Sequence, residues 1–149
     1  MKRVLASLAV LTAVAAAPAL AAGDATKGEA AFKQCQTCHT VADADGKVLA
    51  GKGAKTGPNL FGVFGRQAGS YPDFKYGESI VAAGAAGLVW DEATFTAYVQ
   101  DPAAFLKERL GDKSAKAKMM FKVKNAETAA DLYAYLSQFS AAAAATTTP

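Results

Sequence analysis

The chain is poor in the side chains from which proteins build metal sites: its 149 residues include one histidine and two cysteines. A structural zinc site needs four Cys or His ligands, so the sequence excludes one. The longest hydrophobic run, Val4 to Ala17, has about fourteen residues, fewer than the roughly 20 that a membrane-spanning helix needs. The formal net charge of +3 is too low to indicate a nucleic-acid-binding protein.

The scarce residues lie together in the run Cys35-Gln36-Thr37-Cys38-His39, which contains both cysteines and the single histidine. A Cys-x-x-Cys-His run is typical of covalent haem attachment. Thiols three positions apart can bond the two vinyl groups of a porphyrin, and the adjacent imidazole can then reach the iron. A thioredoxin-like dithiol would require flanking strands, and a plain disulfide would leave His39 without a role. The sequence therefore predicts one covalently bound haem c per chain.

The two ends of the chain differ in composition from the rest. A basic start, the apolar run and the small residues Pro18-Ala19-Leu20-Ala21 predict a secretory signal peptide over residues 1–21. Retention of this segment as a tether is the alternative. Cleavage would leave a periplasmic protein with a domain over 22–140. The uncharged Ala/Thr tail over 141–149 cannot bury enough apolar surface to offset its ordering entropy, so we expect it to be disordered.

Capping residues divide the domain into helices. Asp24, Asp91 and Asn125 each precede an apolar pattern of helical period, and each is a favoured N-cap residue. Pro102 suits the first position of a further short helix, which Gly111 would end. No stretch alternates long enough to predict a strand. Residues 41–69 instead contain seven glycines, which indicates a long loop that wraps a ligand. We predict an all-α domain of about four to five helices with long Gly-rich loops around the haem.

The second axial ligand of the iron must come from another residue type. Since His39 is the only histidine, ligation by two histidines is excluded. A methionine thioether is the remaining common ligand in electron carriers. Met1 would leave with the signal peptide, so the candidates are Met119 and Met120, and their spacing does not distinguish them.

Several motifs in this order closely resemble the class I cytochromes c, in particular the bacterial c2 type and its periplasmic relatives. They are Cys35 to His39, Lys55-Thr56-Gly57-Pro58-Asn59-Leu60-Phe61-Gly62, Phe64-Gly65-Arg66, Trp90 and Lys118-Met119-Met120-Phe121. The resemblance covers nearly all of residues 23–139. It implies the compact fold of that family, with first and last helices that cross at Gly28, Phe32, Leu132 and Tyr135. It also implies an electron-transfer protein rather than an enzyme.

The resemblance assigns roles to individual residues. Cys35 and Cys38 would attach the haem, and His39 and Met119 would bind its iron, with Met120 left as a packing residue. The carbonyl of Pro58 would accept the imidazole N–H of His39. Three further side chains would lie beside a haem propionate, namely Arg66, Tyr76 and Trp90. The hydroxyl of Tyr98 would lie near the methionine sulfur.

The resemblance also implies partners. Lysines around the iron-ligand segment would dock acidic surfaces of redox complexes; they are Lys55, Lys116, Lys118, Lys122 and Lys124. Carriers of this type serve a quinol-oxidising complex, an oxidase or a photosynthetic reaction centre. We therefore expect a monomer that docks transiently at the membrane surface and does not bind nucleic acid. The segments 43–53 and 82–87 are longer than in short mitochondrial forms, and Gln34 replaces the family's lysine before the first cysteine.

Overall fold

The computed structural model describes residues 23–146, and the environments of side chains over 23–140. The expected signal peptide over 1–21 and the last residues, 147–149, lie outside the described part. The described chain forms helices α1 (Ala25–Phe32), α2 (Glu78–Ala85), α3 (Glu92–Gln100), α4 (Pro102–Leu110) and α5 (Ala126–Thr146). Strands β1 (Thr40–Ala42) and β2 (Val48–Gly51) form a two-stranded sheet. No helix in this part of the chain combines the length and apolarity needed to cross a membrane.

The predicted caps begin and end the helices as the sequence indicated. The carboxylate of Asp24 accepts hydrogen bonds from the amides of Thr26 and Lys27. Asp91 forms a reciprocal capping box with Thr94, and the side chain of Asn125 accepts from the amide of Thr128 at 2.8 Å. Helix α4 starts at Pro102 and ends at Gly111, whose φ of 62° is the left-handed conformation that favours glycine.

The hairpin of β1 and β2 is an addition to the predicted all-α architecture. Its strands pair antiparallel, with Val41 opposite Ala50, and an exposed turn over 44–47 joins them. The hairpin occupies most of the segment 43–53 that was expected to be a long loop. Its strands are too short, and their register too irregular, for an alternating pattern to reveal them.

Helix α2 also went unpredicted, because the residue before it, Gly77, has no side chain that could cap and so mark its start. Gly84 lies within the helix because α2 packs directly on a neighbouring loop: a Cβ at this position would be 2.0 Å from the carbonyl oxygen of Ala68. At the other end of the chain, α5 continues to Thr146, into the segment that we expected to be disordered from Ala141. Alanine has the highest helix propensity, so an Ala run extends a helix that has already formed.

Helices α1 and α5 cross where Gly28 was expected to allow it. A Cβ on Gly28 would be 2.0 Å from the carbonyl oxygen of Asp131 and 2.7 Å from the Cβ of Tyr135. The contact is strengthened by Phe32, whose ring lies 5.6 Å from that of Tyr135, and by Asp131, whose carboxylate accepts from the amide of Asp24 at 2.7 Å.

Two groups of buried residues form the core. One joins α1, α3 and α5 and includes Phe32, Val99 and Leu136; the other joins α2 and α4 and includes Ile80 and Leu106. Trp90 and Tyr98 pack against both groups. The apolar interior is therefore divided, and the space between its two parts is where a flat cofactor can bind.

Substitution of Gly28 by alanine tests the helix crossing. The added methyl group overlaps the backbone of α5, so the helices must separate, and we expect the free energy of unfolding to fall by about 1–3 kcal/mol. Chemical denaturation measures it. Glu29→Ala, at an exposed position of the same helix, is the control and should change stability little. Equal effects of the two substitutions would contradict the tight crossing.

Candidate haem site

A cavity of about 390 Å³ lies between the two parts of the core. Its volume is within the range of small-molecule and cofactor sites, and most of its lining is apolar. Every residue that the sequence assigned to the haem lines it. These residues are Cys35, Cys38, His39, Pro58, Arg66, Tyr76, Trp90, Tyr98 and Met119.

A single turn of 3₁₀ helix over Cys35–Thr37 brings the thiols and the imidazole to one wall of the cavity. The amides of Cys38 and His39 both donate to the carbonyl oxygen of Cys35, at 3.0 and 2.9 Å. The two cysteines are not joined by a disulfide. Burial raises the pKa of the Cys35 thiol to about 11, and the nearby Cys38 adds to the shift. In the unmodified polypeptide, this thiol is therefore neutral at pH 7.

The imidazole of His39 is held in one orientation. Its Nδ1 lies 2.9 Å from the carbonyl oxygen of Pro58. A carbonyl can only accept, so Nδ1 carries the proton and the lone pair is on Nε2. Burial lowers the pKa of His39, and the bond to Pro58 only partly opposes this shift, so the ring is neutral at pH 7. A neutral imidazole with a free Nε2 is the form that binds a metal.

The segment that carries Pro58 is fixed by its neighbours. The amide of Gly57 donates to the carbonyl of Cys38 at 2.7 Å, and the amide of Leu60 donates to that of Thr40 at 2.9 Å. Asn59 pairs with the backbone of Ala42, accepting from its N–H at 3.0 Å and donating to its carbonyl at 2.7 Å. Asn59 was not among the predicted site residues, although its place directly after Pro58 was a signal that the side chain organises a turn.

Arg66 lines the cavity but uses its donors on the same segment. Its guanidinium donates to the carbonyls of Asn59 and Phe61, at 2.9 and 3.0 Å, and lies 5.0 Å from the ring centroid of Tyr71. Burial lowers the pKa of Arg66, but a guanidinium is not deprotonated in proteins, so the group is a cation beside the cavity. The resemblance implies that Arg66 lies beside a haem propionate. The structure adds the hydrogen bonds by which Arg66 holds the segment that follows Pro58.

Three aromatic side chains with a polar N–H or O–H line another part of the cavity. The rings of Trp90 and Tyr98 are 5.0 Å apart, and Phe105 lies against both. Burial raises the pKa of Tyr98 to about 12, with a smaller contribution from Tyr76, and it also raises the pKa of Tyr76. Both tyrosines are therefore protonated at pH 7 and can donate hydrogen bonds into an apolar cavity.

The two adjacent methionines have different environments. Met119 is half-buried and packs against the core group of α1, α3 and α5. Met120 is 84% exposed, so the prediction that it is a packing residue is wrong. Both side chains line the cavity, Met119 from a half-buried position and Met120 from an exposed one.

The five predicted docking lysines are all exposed, but they differ in their contacts. The Nζ of Lys118 donates to the carbonyl of Lys75 at 2.6 Å, and that of Lys122 lies 2.7 Å from the carboxylate of Asp101. Over residues 23–140, no such side-chain partner is found for Lys55, Lys116 or Lys124. Lys116 and Lys118 lie at the cavity itself.

Comparison with known proteins shows the family to which the chain belongs. No protein-family model matches the chain. It is 55% identical over 140 residues to the cytochrome c2 of Cereibacter sphaeroides, which covers 93% of this chain and 97% of that protein. It is 54% identical over 136 residues to the cytochrome c2 of Rhodobacter capsulatus, covering 91% and 96%. A crystal structure of cytochrome c2 from Rhodobacter sphaeroides matches with a TM-score of 0.77 and 55% identity, covering 79% of this chain and 97% of that one.

Fold, cavity and relatives together define a c-type cytochrome. The chain belongs to the bacterial class I cytochromes c of the c2 type. It is an electron carrier with one covalently attached haem c, and not an enzyme. The family resemblance and the predicted cofactor are thereby confirmed, and so is the fold class, to which the structure adds the small hairpin.

Substitution of Gly57 by alanine tests how the imidazole is oriented. A Cβ at this position would be 2.5 Å from Cε1 and 2.6 Å from Nδ1 of His39, so the ring must turn. We expect the haem-loaded protein to unfold at a lower denaturant concentration, with an altered Soret spectrum. Glu29→Ala, at an exposed position that does not line the cavity, is the control and should leave the spectrum unchanged. An unchanged spectrum in Gly57→Ala would contradict this orientation.

Proposed function

We propose that the chain carries single electrons between redox complexes through a haem bonded to Cys35 and Cys38, with His39 and Met119 as axial ligands. The observation that carries this proposal is the arrangement of one cavity. A neutral imidazole with its Nε2 lone pair free and a half-buried thioether both line it, together with both thiols. When bound, the haem supplies an iron that alternates between the ferrous and ferric states.

The protein's part is to fix the ligands and exclude water. The Pro58 carbonyl holds the ring of His39 in one tautomer and increases its basicity. A thioether is a weak donor that favours ferrous iron and so raises the reduction potential. An apolar lining acts in the same direction, because the oxidised centre carries one more positive charge. His39 and Met119 would hold the iron in both oxidation states, so electron transfer would need no bond to form or break.

The donors around the cavity suit the acidic edge of the haem. Tyr76 and Trp90 would donate to a propionate, and Arg66 would offset its negative charge. The protonated state of Tyr76 at pH 7 supports this role, since only the neutral phenol can donate. Tyr98, beside Trp90 and likewise protonated, would hydrogen-bond near the sulfur of Met119.

Docking would rely on the lysines beside the cavity. Clustered cations raise the rate of encounter with an acidic surface more than they tighten the complex, which permits fast release. The partners would be a quinol-oxidising complex and an oxidase or photosynthetic reaction centre, met by a monomer in transient contact at the membrane surface. Lys122 would contribute least, because its charge is already paired with the carboxylate of Asp101. Lys118 keeps its full charge, since its partner is the neutral carbonyl of Lys75. The predicted signal peptide supports a periplasmic location.

Substitution of each methionine separates the two candidate ligands. Met119→Leu should abolish the sulfur–iron absorption band of the ferric protein. It should also lower the reduction potential by on the order of 0.1 V, because the axial ligand sets the potential of a haem and the thioether favours ferrous iron. Met120→Leu is the matched control and should leave the band in place, because Met120 is exposed. Loss of the band in the Met120 variant alone would overturn the assignment.

Substitution of single lysines tests the docking surface. Lys116→Gln, at the cavity, should lower the association rate with a purified quinol-oxidising complex by a factor of about two or more at low ionic strength. Lys47→Gln removes the same charge in the exposed hairpin turn and should have little effect. Stopped-flow kinetics at several salt concentrations measure both. A wild-type rate that does not change with salt would refute electrostatic docking and leave the haem assignment intact.

A further inference from the structure

The segment between α4 and α5, residues 111–125, carries Met119, and we call it the methionine loop. Before Met119, two contacts attach it to the region of α2. The amide of Lys116 donates to the Ser79 hydroxyl at 3.0 Å, and the Nζ of Lys118 donates to the carbonyl of Lys75 at 2.6 Å.

Apolar burial contributes little on the far side of Met119. Met120 is 84% exposed and Phe121 is 43% exposed, and burial resumes only at Val123. Two polar contacts join this stretch to the end of α3. The amide of Val123 donates to the carbonyl of Val99 at 2.8 Å, and the Nζ of Lys122 lies 2.7 Å from Oδ2 of Asp101.

Asp101 is a fixed partner for this lysine. Its other carboxylate oxygen, Oδ1, caps helix α4 by accepting from the amide of Ala104 at 3.1 Å, and Pro102 follows it directly. The carboxylate therefore already has a set position when the lysine binds, so the ordering entropy lost on pairing is mainly that of Lys122. The hydrogen bond from Lys122 is the main cause that lowers the pKa of Asp101, and the carboxylate is ionised at pH 7.

We propose that the Asp101–Lys122 ion pair is a positioning device for the axial methionine: it attaches the methionine loop to the start of α4 and keeps Met119 against the haem iron. This role rests on the proposed function, because it assumes that Met119 is the ligand. Lys122 thereby acts chiefly within the molecule, in contrast to Lys124, for which residues 23–140 provide no such partner.

The pair should govern how readily the iron loses its thioether. An exposed ion pair of good geometry shifts an equilibrium by a factor of about two to five. Removing it should raise, by that factor, the fraction of molecules in which the methionine loop has moved away and a small ligand can replace Met119. The effect should shrink at high salt, since both side chains are partly exposed.

Imidazole binding to the ferric holoprotein measures that fraction, with loss of the sulfur–iron band as the signal. The variants are Asp101→Asn, Lys122→Gln and the double variant. Asn caps a helix about as well as Asp, so Asp101→Asn removes the charge and keeps the cap. Lys124→Gln is the control for loss of one nearby positive charge, and Lys122→Arg preserves the pair.

We expect imidazole to bind about two- to fivefold more tightly to each single variant than to the wild type. The double variant should bind imidazole with the same affinity as each single variant, because loss of either residue already removes the ion pair. Lys124→Gln and Lys122→Arg should match the wild type. Affinities equal to the wild type in both single variants, or fully additive effects in the double variant, would overturn the proposal.

Failure of the underlying assignment has a different signature. If the wild-type protein shows no sulfur–iron band, or if imidazole binds without removing it, Met119 is not the displaced ligand. That result refutes the proposed axial pair, whatever the variants do. An intact band in the wild type with unaltered affinities in the variants refutes only the role of the ion pair.

Discussion

The hydrogen bond from the Nδ1 of His39 to the carbonyl of Pro58 is the contact on which the rest of the site depends. It fixes the tautomer and the plane of the only imidazole in the chain, while burial keeps that ring neutral. Gly57 makes it possible, because any larger residue would overlap the ring. Asn59 and Arg66 then hold the backbone around Pro58 in place. A short Gly-Pro-Asn segment therefore determines which nitrogen faces the cavity.

The division of the core explains why this chain needs its cofactor. Trp90 and Tyr98 pack against both groups of buried residues, and side chains from both groups line the cavity. A haem there would contact both groups at once and restore the close packing of an ordinary protein interior. The same arrangement gives the iron an apolar environment, so stability and redox behaviour have one structural origin.

Helices α1, α3, α4 and α5 and the haem-attachment run could be predicted because their signals are local, whereas the roles of Met119 and the other cavity residues rested on the family resemblance. Asp24, Asp91 and Asn125 act within one helical turn, and the Cys-x-x-Cys-His run needs only its own turn to bring thiols and imidazole together. The hairpin could not be predicted, since its strands are short and β1 is held at Ala42 by Asn59, which lies 17 positions away. The partner of Lys122 was likewise hidden, because Asp101 lies 21 positions away and no spacing rule connects them. The exposure of Met120 depends on the conformation of an irregular loop, which no periodicity encodes.

The hairpin turn has a practical consequence. Ala44, Asp45 and Gly46 are exposed, and none of them lines the cavity, while the strands that they join are anchored at Ala42 by Asn59. Residues added to this turn would therefore lie outside the part of the chain that lines the cavity. A fluorophore attached at Ala44 would therefore report on the molecule without contacting the residues that line the cavity.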